Sequence, residues 1–84
     1  MESNKELREE IFSIIENQIR DNDPPETKTT YQRLRELGYD DFQTRQFIGQ
    51  CVAVEIFEVI KYGRPYNNDR YVKNLKKLPE EPFD

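Results

Sequence analysis

Apolar residues recur along this chain at the three- and four-residue spacing of a helix, and three polar clusters rich in proline or glycine interrupt them. Leu7, Ile11, Ile14 or Ile15 and Ile19 form the first series. Ser3 with Glu6 three residues on makes a capping box ahead of it, so helix one is expected over about Asn4 to Arg20. It stops at Asp21-Asn22-Asp23-Pro24-Pro25, because a residue preceding proline is pushed out of the helical region. Pro25 and Glu26 suit the first turn of a second helix running to Leu37, with Tyr31, Leu34 and Leu37 as its buried edge. Gly38 ends it, and places Leu34 and Tyr39 at the two positions that touch in a Schellman ending.

Asp40 and Gln43 form another capping box, and the next stop is Gly63 followed by Pro65. Helix three is therefore expected over about Asp41 to Tyr62, the longest and most apolar element. On a helical wheel Ile48, Val52, Ala53, Ile56, Phe57, Val59 and Ile60 share one broad face, of which Ile48, Val52, Ile56 and Val59 are expected to be nearly fully buried against helices one and two. Phe47, Cys51 and Val54 make a narrower second stripe on the opposite side. Gly49 and Ala53 share a face on which another backbone can cross closely, which offsets the cost of a glycine inside a helix. Asn67 or Asn68 caps a short fourth helix with Tyr71, Val72, Leu75 and Leu78 at helical spacing, ending before Pro79.

These elements predict an all-α fold: a single-domain four-helix mini-bundle around a long central third helix. The ordered core spans about residues 4–78, and residues 79–84 form a loose tail. Length agrees, since 84 residues supply one core and not two. Composition alone, with 36% charged residues and a mean hydropathy of -1.02, leans towards disorder, but ten Phe and Tyr residues and the periodic apolar clusters outweigh it.

Candidate chemistry is sparse. The chain has no histidine, which removes the usual general base and the commonest metal ligand, so no enzyme activity, metal or cofactor is expected. Cys51 sits mid-helix among Val52, Ala53 and Val54, where a small buried hydrophobe is the expectation and a reactive thiol is not. Glu55 and Glu58 interrupt the apolar run, but a carboxylate di-metal site needs Glu-x-x-His partners, so they are expected to form a solvated or capped edge. No apolar run reaches the length of a membrane span. Met1 to Glu6 lack the basic start and apolar stretch of a signal peptide, and a lone cysteine argues against a disulfide-stapled secreted scaffold, which makes the cytoplasm the expected compartment.

Charge is uneven within a net charge of -4. Arg64, Arg70, Lys73, Lys76 and Lys77 form a candidate basic face near Tyr66 and Tyr71, whereas residues 1–25 hold seven acids against three bases. A basic helix is the footprint of phosphate binding, but with Glu80, Glu81 and Asp84 beside it an exposed face partly paired with acidic helix one explains the pattern as well.

The order Pro24-Pro25, Tyr31-Gln32-Arg33-Leu34, Gln50-Cys51-Val52, Phe57-Glu58 and Gly63-Arg64-Pro65, followed by a Tyr71 to Leu75 helix, resembles a bacterial domain-of-unknown-function family of small helical proteins. Gln18 stands where that family has a glutamine ahead of its Pro-Pro pair, and the resemblance spans Glu10 to Leu78. The family pattern carries a histidine about where Gln46 stands and another near the start of the same helix, and this chain has neither. The resemblance thus implies a fold and a bacterial origin, with no activity attached.

The functional expectation is a non-enzymatic protein-interaction module, pairing with itself as a small homodimer or with an unknown protein, through an uncovered Phe47, Cys51 and Val54 stripe. The alternative is weak nucleic-acid binding by the basic fourth helix.

Overall fold

The computed structural model describes the backbone of residues 2–81 and the side chains of residues 5–81. Within them the chain forms four helices: α1 (Glu2–Asp21), α2 (Pro25–Glu36), α3 (Asp41–Tyr62) and α4 (Asn68–Lys77). The all-α mini-bundle around a long third helix is what the apolar spacing predicts.

The boundaries follow local chemistry. The α3 capping box is formed, with the Gln43 N–H donating to Asp40 Oδ1 at 2.7 Å and the Asp40 N–H to Gln43 Oε1 at 3.0 Å. α2 ends in the expected Schellman motif. Gly38 has φ +108°, its N–H donates to the Arg35 carbonyl at 3.0 Å, and that of Tyr39 to the Leu34 carbonyl at 3.2 Å. α1 ends the same way, with Asn22 at φ +53° in the left-handed position and the Asp23 N–H donating to the Gln18 carbonyl at 3.0 Å. The proline pair was the visible stop; the asparagine makes the cap. At the other end α1 begins at Glu2, two residues before the expected start, and the Ser3 capping box falls on side chains outside the described residues.

Asn67 caps α4, its side chain accepting from the Arg70 N–H at 3.0 Å. The far end of α4 is closed from another element: the Arg33 guanidinium on α2 donates to the carbonyls of Leu78 at 2.7 Å and Leu75 at 3.0 Å. A cation there also complements the negative end of the helix dipole.

α3 packs against all three other helices, and α2 also contacts α1 and α4. The core is built of Ile11 and Ile15 from α1, Leu34 from α2, Ile48, Cys51 and Val52 from α3, and Tyr71, Leu75 and Leu78 from the α4 segment. α1 crosses α3 at Gly49, where a Cβ would lie 3.2 Å from Ile11 Cγ2, so the glycine serves the close helix crossing expected of it.

Two expectations about burial fail. α2 buries Thr27, Thr30 and Leu34, leaving Tyr31 half-buried and Leu37 60% exposed. Thr27 and Thr30 occupy the inner face here, Thr27 with its hydroxyl donating to Gln18 Oε1 at 2.8 Å, and Leu37, as the C-cap, lies exposed at the end of the helix. On α3, Ile48 and Val52 are buried as expected, but Ile56 is only half-buried and Val59 is 47% exposed. The inner face of α3 turns instead through Thr44, Ile48, Cys51, Val52 and Glu55, and Cys51 joins one core cluster with Leu34 of α2 and Tyr71 and Leu75 of α4.

Candidate protein-interaction site

Because α3 is the central helix, what its neighbours leave uncovered decides which surfaces are available. Cys51 is not among them. It is fully buried, and burial, with a smaller contribution from Glu55, pushes its thiol up to about 12, so it is an inert core residue. The expected stripe of Phe47, Cys51 and Val54 is therefore not one continuous patch: Cys51 faces the core, while Phe47 and Val54 remain partly exposed.

Glu55 departs from expectation as well. It is 5% exposed, not solvated, and accepts two hydrogen bonds from Arg70, from Nε to Oε2 at 2.6 Å and from Nη2 to Oε1 at 2.9 Å. The Asn67 N–H donates to Oε1 as well, at 2.9 Å. One carboxylate thus ties the α3–α4 connection and the first turn of α4 to α3. Glu58 accepts from Arg64 Nη1 at 3.1 Å and lies 3.7 Å from Arg70 Nη1. The candidate basic face is divided accordingly. Arg64 and Arg70 are paired with α3 and not with α1, Lys73 and Lys76 are exposed beside Glu26 and Asp69, and Lys77 is half-buried. A pair of lysines with acids beside them is a small footprint for a phosphate backbone.

A second polar cluster lies between α1, α2 and α4. The hydroxyls of Tyr71 and Thr27 donate to Gln18 Oε1 at 2.7 and 2.8 Å. Burial raises the Tyr71 pKa well above the usual phenol value. The cluster is closed on itself and joins three helices.

Two open grooves flank the crossing of α1 over α3. The larger, about 640 Å³, has Leu7, Arg8, Ile11 and Phe12 of α1 on one side and Gln43, Gln46, Phe47, Gln50 and Ala53 of α3 on the other, closed by Tyr39. Tyr39 stacks edge-on against Phe47 with ring centroids 4.9 Å apart. Gln50 Oε1 is buried in this region and has no hydrogen-bond partner among the described residues. The smaller groove, about 270 Å³, is lined by Ile14, Val52, Ile56, Val59 and Ile60, with Gln18, Glu55, Tyr66 and Tyr71 at its edges. Ile60 is 78% exposed here and Tyr66 50%. The Tyr66 hydroxyl is held above the usual phenol range, first by burial and then by the negative charges of Glu55, Asp23 and Glu26.

The sequence singles out Phe47 and Val54 as candidates, but its pattern puts Ile56, Val59 and Ile60 on the broad inner face and points to neither Gln50 nor the acidic surroundings of Tyr66. Gln50 carried a signal, since it sits between apolar residues on an otherwise uncharged stretch; Asp23 and Glu26 are far from Tyr66 in sequence and only the fold brings them near. Among the described residues no helix is long and apolar enough to cross a membrane. No known protein family matches the chain, and no curated protein or solved structure is similar to it, so the likeness to the bacterial helical family rests on its motifs alone.

Proposed function

We propose that this protein is a non-enzymatic protein-interaction module that docks a cationic amphipathic helix of another protein in the groove between α1 and the C-terminal half of α3. The observation that carries this reading is an uncovered apolar strip, Ile56, Val59 and Ile60, bordered by carboxylates. The negative charges of Asp23 and Glu26 reach the Tyr66 hydroxyl at its edge. Glu10 and Asp21 are exposed on the side of α1 that carries Ile14, at helical spacings of four and seven from it. Arg70, which precedes the groove-lining Tyr71, is paired with Glu55. An apolar strip edged by acids is complementary to a helix with apolar residues every three or four positions and Lys or Arg beside them. A second copy cannot offer its α4 for this purpose, because Tyr71, Leu75 and Leu78, the apolar side of that basic helix, lie in its own core.

A fluorescent helical peptide of about four turns, with leucines at i, i+3, i+4 and i+7 and lysines elsewhere, tests the assignment by anisotropy. Binding should weaken roughly tenfold or more for Ile60→Ser, which removes apolar contact and no charge, and about threefold for Asp23→Asn. If the peptide binds the Ile60→Ser protein as well as the wild type, or if replacing its leucines by serine leaves binding unchanged, the groove is not the docking site.

A further inference from the structure

On the reading that a cationic helix docks in the groove, we infer that Tyr66 is the residue that sets its specificity: the open face of the Tyr66 ring takes a cationic head group of the docked helix, a guanidinium in preference to an ammonium. The partner is thus chosen for one cation at the groove's edge as well as for its apolar stripe.

Tyr66 lies in the α3–α4 connection, where no helix holds it, yet it is fixed from several sides. The N–H of the next residue, Asn67, donates to the buried Glu55 carboxylate at 2.9 Å, and the Asn67 side chain caps α4. The Tyr66 hydroxyl donates to Asn68 Oδ1 at 2.7 Å, and its ring packs against that of Tyr71 with centroids 6.0 Å apart. The residue nonetheless stays 50% exposed and lines the groove beside Val59 and Ile60. A ring already held in place loses little freedom when a partner meets it, which suits it to anchor an interface.

Other rings on this surface show what an open aromatic face takes here. Arg35 and Arg45 each stand 5.9 Å from the Tyr31 ring centroid, Arg64 stands 4.9 Å from that of Tyr62, and Lys61 lies 5.1 Å from that of Phe57. Among the described residues no Lys or Arg stands over Tyr66. The two arginines that share a hollow with it, Arg64 and Arg70, are engaged with Glu58 and Glu55.

The surroundings of Tyr66 are negative all the same. Glu26 shares a hollow with Asn68, the residue to which the Tyr66 hydroxyl is bonded, and the charges of Glu55, Asp23 and Glu26 add to burial in holding that hydroxyl above the usual phenol range. The ion pairs formed among the described residues engage Glu16, Asp21, Asp41, Glu55 and Glu58; Asp23 and Glu26 are in none, although Lys73 and Lys76 line the hollow of Glu26. The electron-rich face of a ring in such a field attracts a cation, and the apolar neighbours Val59 and Ile60 strengthen that attraction by excluding water. A carboxylate in the same place would meet Asp23 and Glu26. Guanidinium is favoured because it is planar, stacks on a ring and sheds water more readily than ammonium.

Two titrations of the full chain test the inference. The first needs no helix: N-acetyl-arginine amide is added while the tyrosine ring protons are followed by NMR, with Tyr66→Phe assigning the Tyr66 signals. Those signals should shift saturably, whereas the rings of Tyr31 and Tyr62, which carry cations of their own, should not, and the uncharged isostere N-acetyl-citrulline amide should leave Tyr66 unmoved. In the second, the leucine peptide carries arginine in place of lysine. It should bind Tyr66→Leu, which keeps apolar bulk but has no ring, about threefold to tenfold more weakly than Tyr66→Phe, which keeps the ring. The loss on exchanging its arginines for citrulline should be smaller for Tyr66→Leu by the same factor, a difference that altered folding of the connection would not produce. Equal shifts of Tyr66 by the arginine and citrulline compounds, or equal binding of the arginine peptide by Tyr66→Leu and Tyr66→Phe, overturn the inference. If no peptide binds and N-acetyl-arginine amide still shifts Tyr66 alone, the helix reading fails and the cation selectivity of the ring is upheld.

Discussion

The second half of α3, from Ala53 to Ile60, is more apolar than the first, from Phe42 to Val52, yet it is the second half that the fold leaves open. In the first half Thr44, Ile48, Cys51 and Val52 are at most 5% exposed; in the second Phe57, Val59 and Ile60 are 47% exposed or more. The difference is one of neighbours. α1 crosses at Gly49 and α2 packs on the Thr44 and Cys51 side, whereas beyond Glu55 the cover is the α3–α4 connection, held by Glu55 and Glu58 through Arg70 and Arg64. Phe42 at the start of the helix, 49% exposed, and the half-buried Phe47 aside, the apolar side chains of the first half hold the molecule together, whereas Phe57, Val59 and Ile60 in the second are open to meet something else.

The largest expected effect comes from equal truncations in the two halves. Ile48→Ala opens a cavity in the core and should cost about 2–5 kcal/mol. A domain this small has only about 5 kcal/mol in total, so the variant should be near its unfolding midpoint in water. Ile60→Ala should change stability by less than about 0.5 kcal/mol, as surface substitutions do. Urea titrations of both give the comparison directly, and equal losses would show that the second half is ordinary core.

A smaller effect separates helix propensity from helix crossing. Alanine is favoured over glycine inside a helix by about 1 kcal/mol, but at Gly49 the added methyl meets Ile11 Cγ2 at 3.2 Å. Overpacking of about 1–3 kcal/mol should win, leaving Gly49→Ala less stable than wild type by about 1 kcal/mol in a thermal melt. A stabilised variant would mean that α1 yields easily and that the first half is less tightly covered than its burial implies.

The smallest effect lies at the start of the covered half. Asp41 accepts from the Tyr31 hydroxyl and from Arg45 Nε at 3.0 Å, and these bonds, Tyr31's first, hold its pKa below the usual aspartate value. A pKa that is lower folded than unfolded contributes stability above the unfolded value, near 3.9, and loses it as pH falls through the folded value. Asp41 is about half exposed, so the contribution at neutral pH should be only about 0.2–1 kcal/mol. Asp41→Asn should therefore be slightly destabilised at pH 7 and indistinguishable from wild type once pH is well below the aspartate range. A gap between the two urea midpoints that persists in acid would assign the effect to packing around Tyr31 instead.

Much of the secondary structure was legible because the signals that start and stop these helices are local. The capping box at Asp40 and Gln43, the glycines at 38 and 63 and the asparagine at 67 each act on backbone groups within a turn, and the expected span of α3 matches the one observed. The faces were less legible. A helical wheel shows which residues share a side and not how much of the circumference neighbours will cover, so Val59, expected in the core, lies exposed, and Cys51, buried as its mid-helix place suggests, does not belong to the open stripe its spacing also implies. Thr27 and Thr30 carry no apolar signal in the sequence, yet the packing of α2 buries both.

By itself, then, the sequence determined four helices, their caps and the central place of the third, because hydrogen bonds within one turn and a 3.6-residue period need nothing beyond adjacent residues. Only the tertiary structure decided which side of α3 is inside, that Arg70 answers to Glu55, that Arg33 closes α4 and that Gln50 Oε1 is buried without a donor among the described residues. Each of these depends on where a second helix lies, and a contact between residues far apart in the chain exists only after the helices have packed.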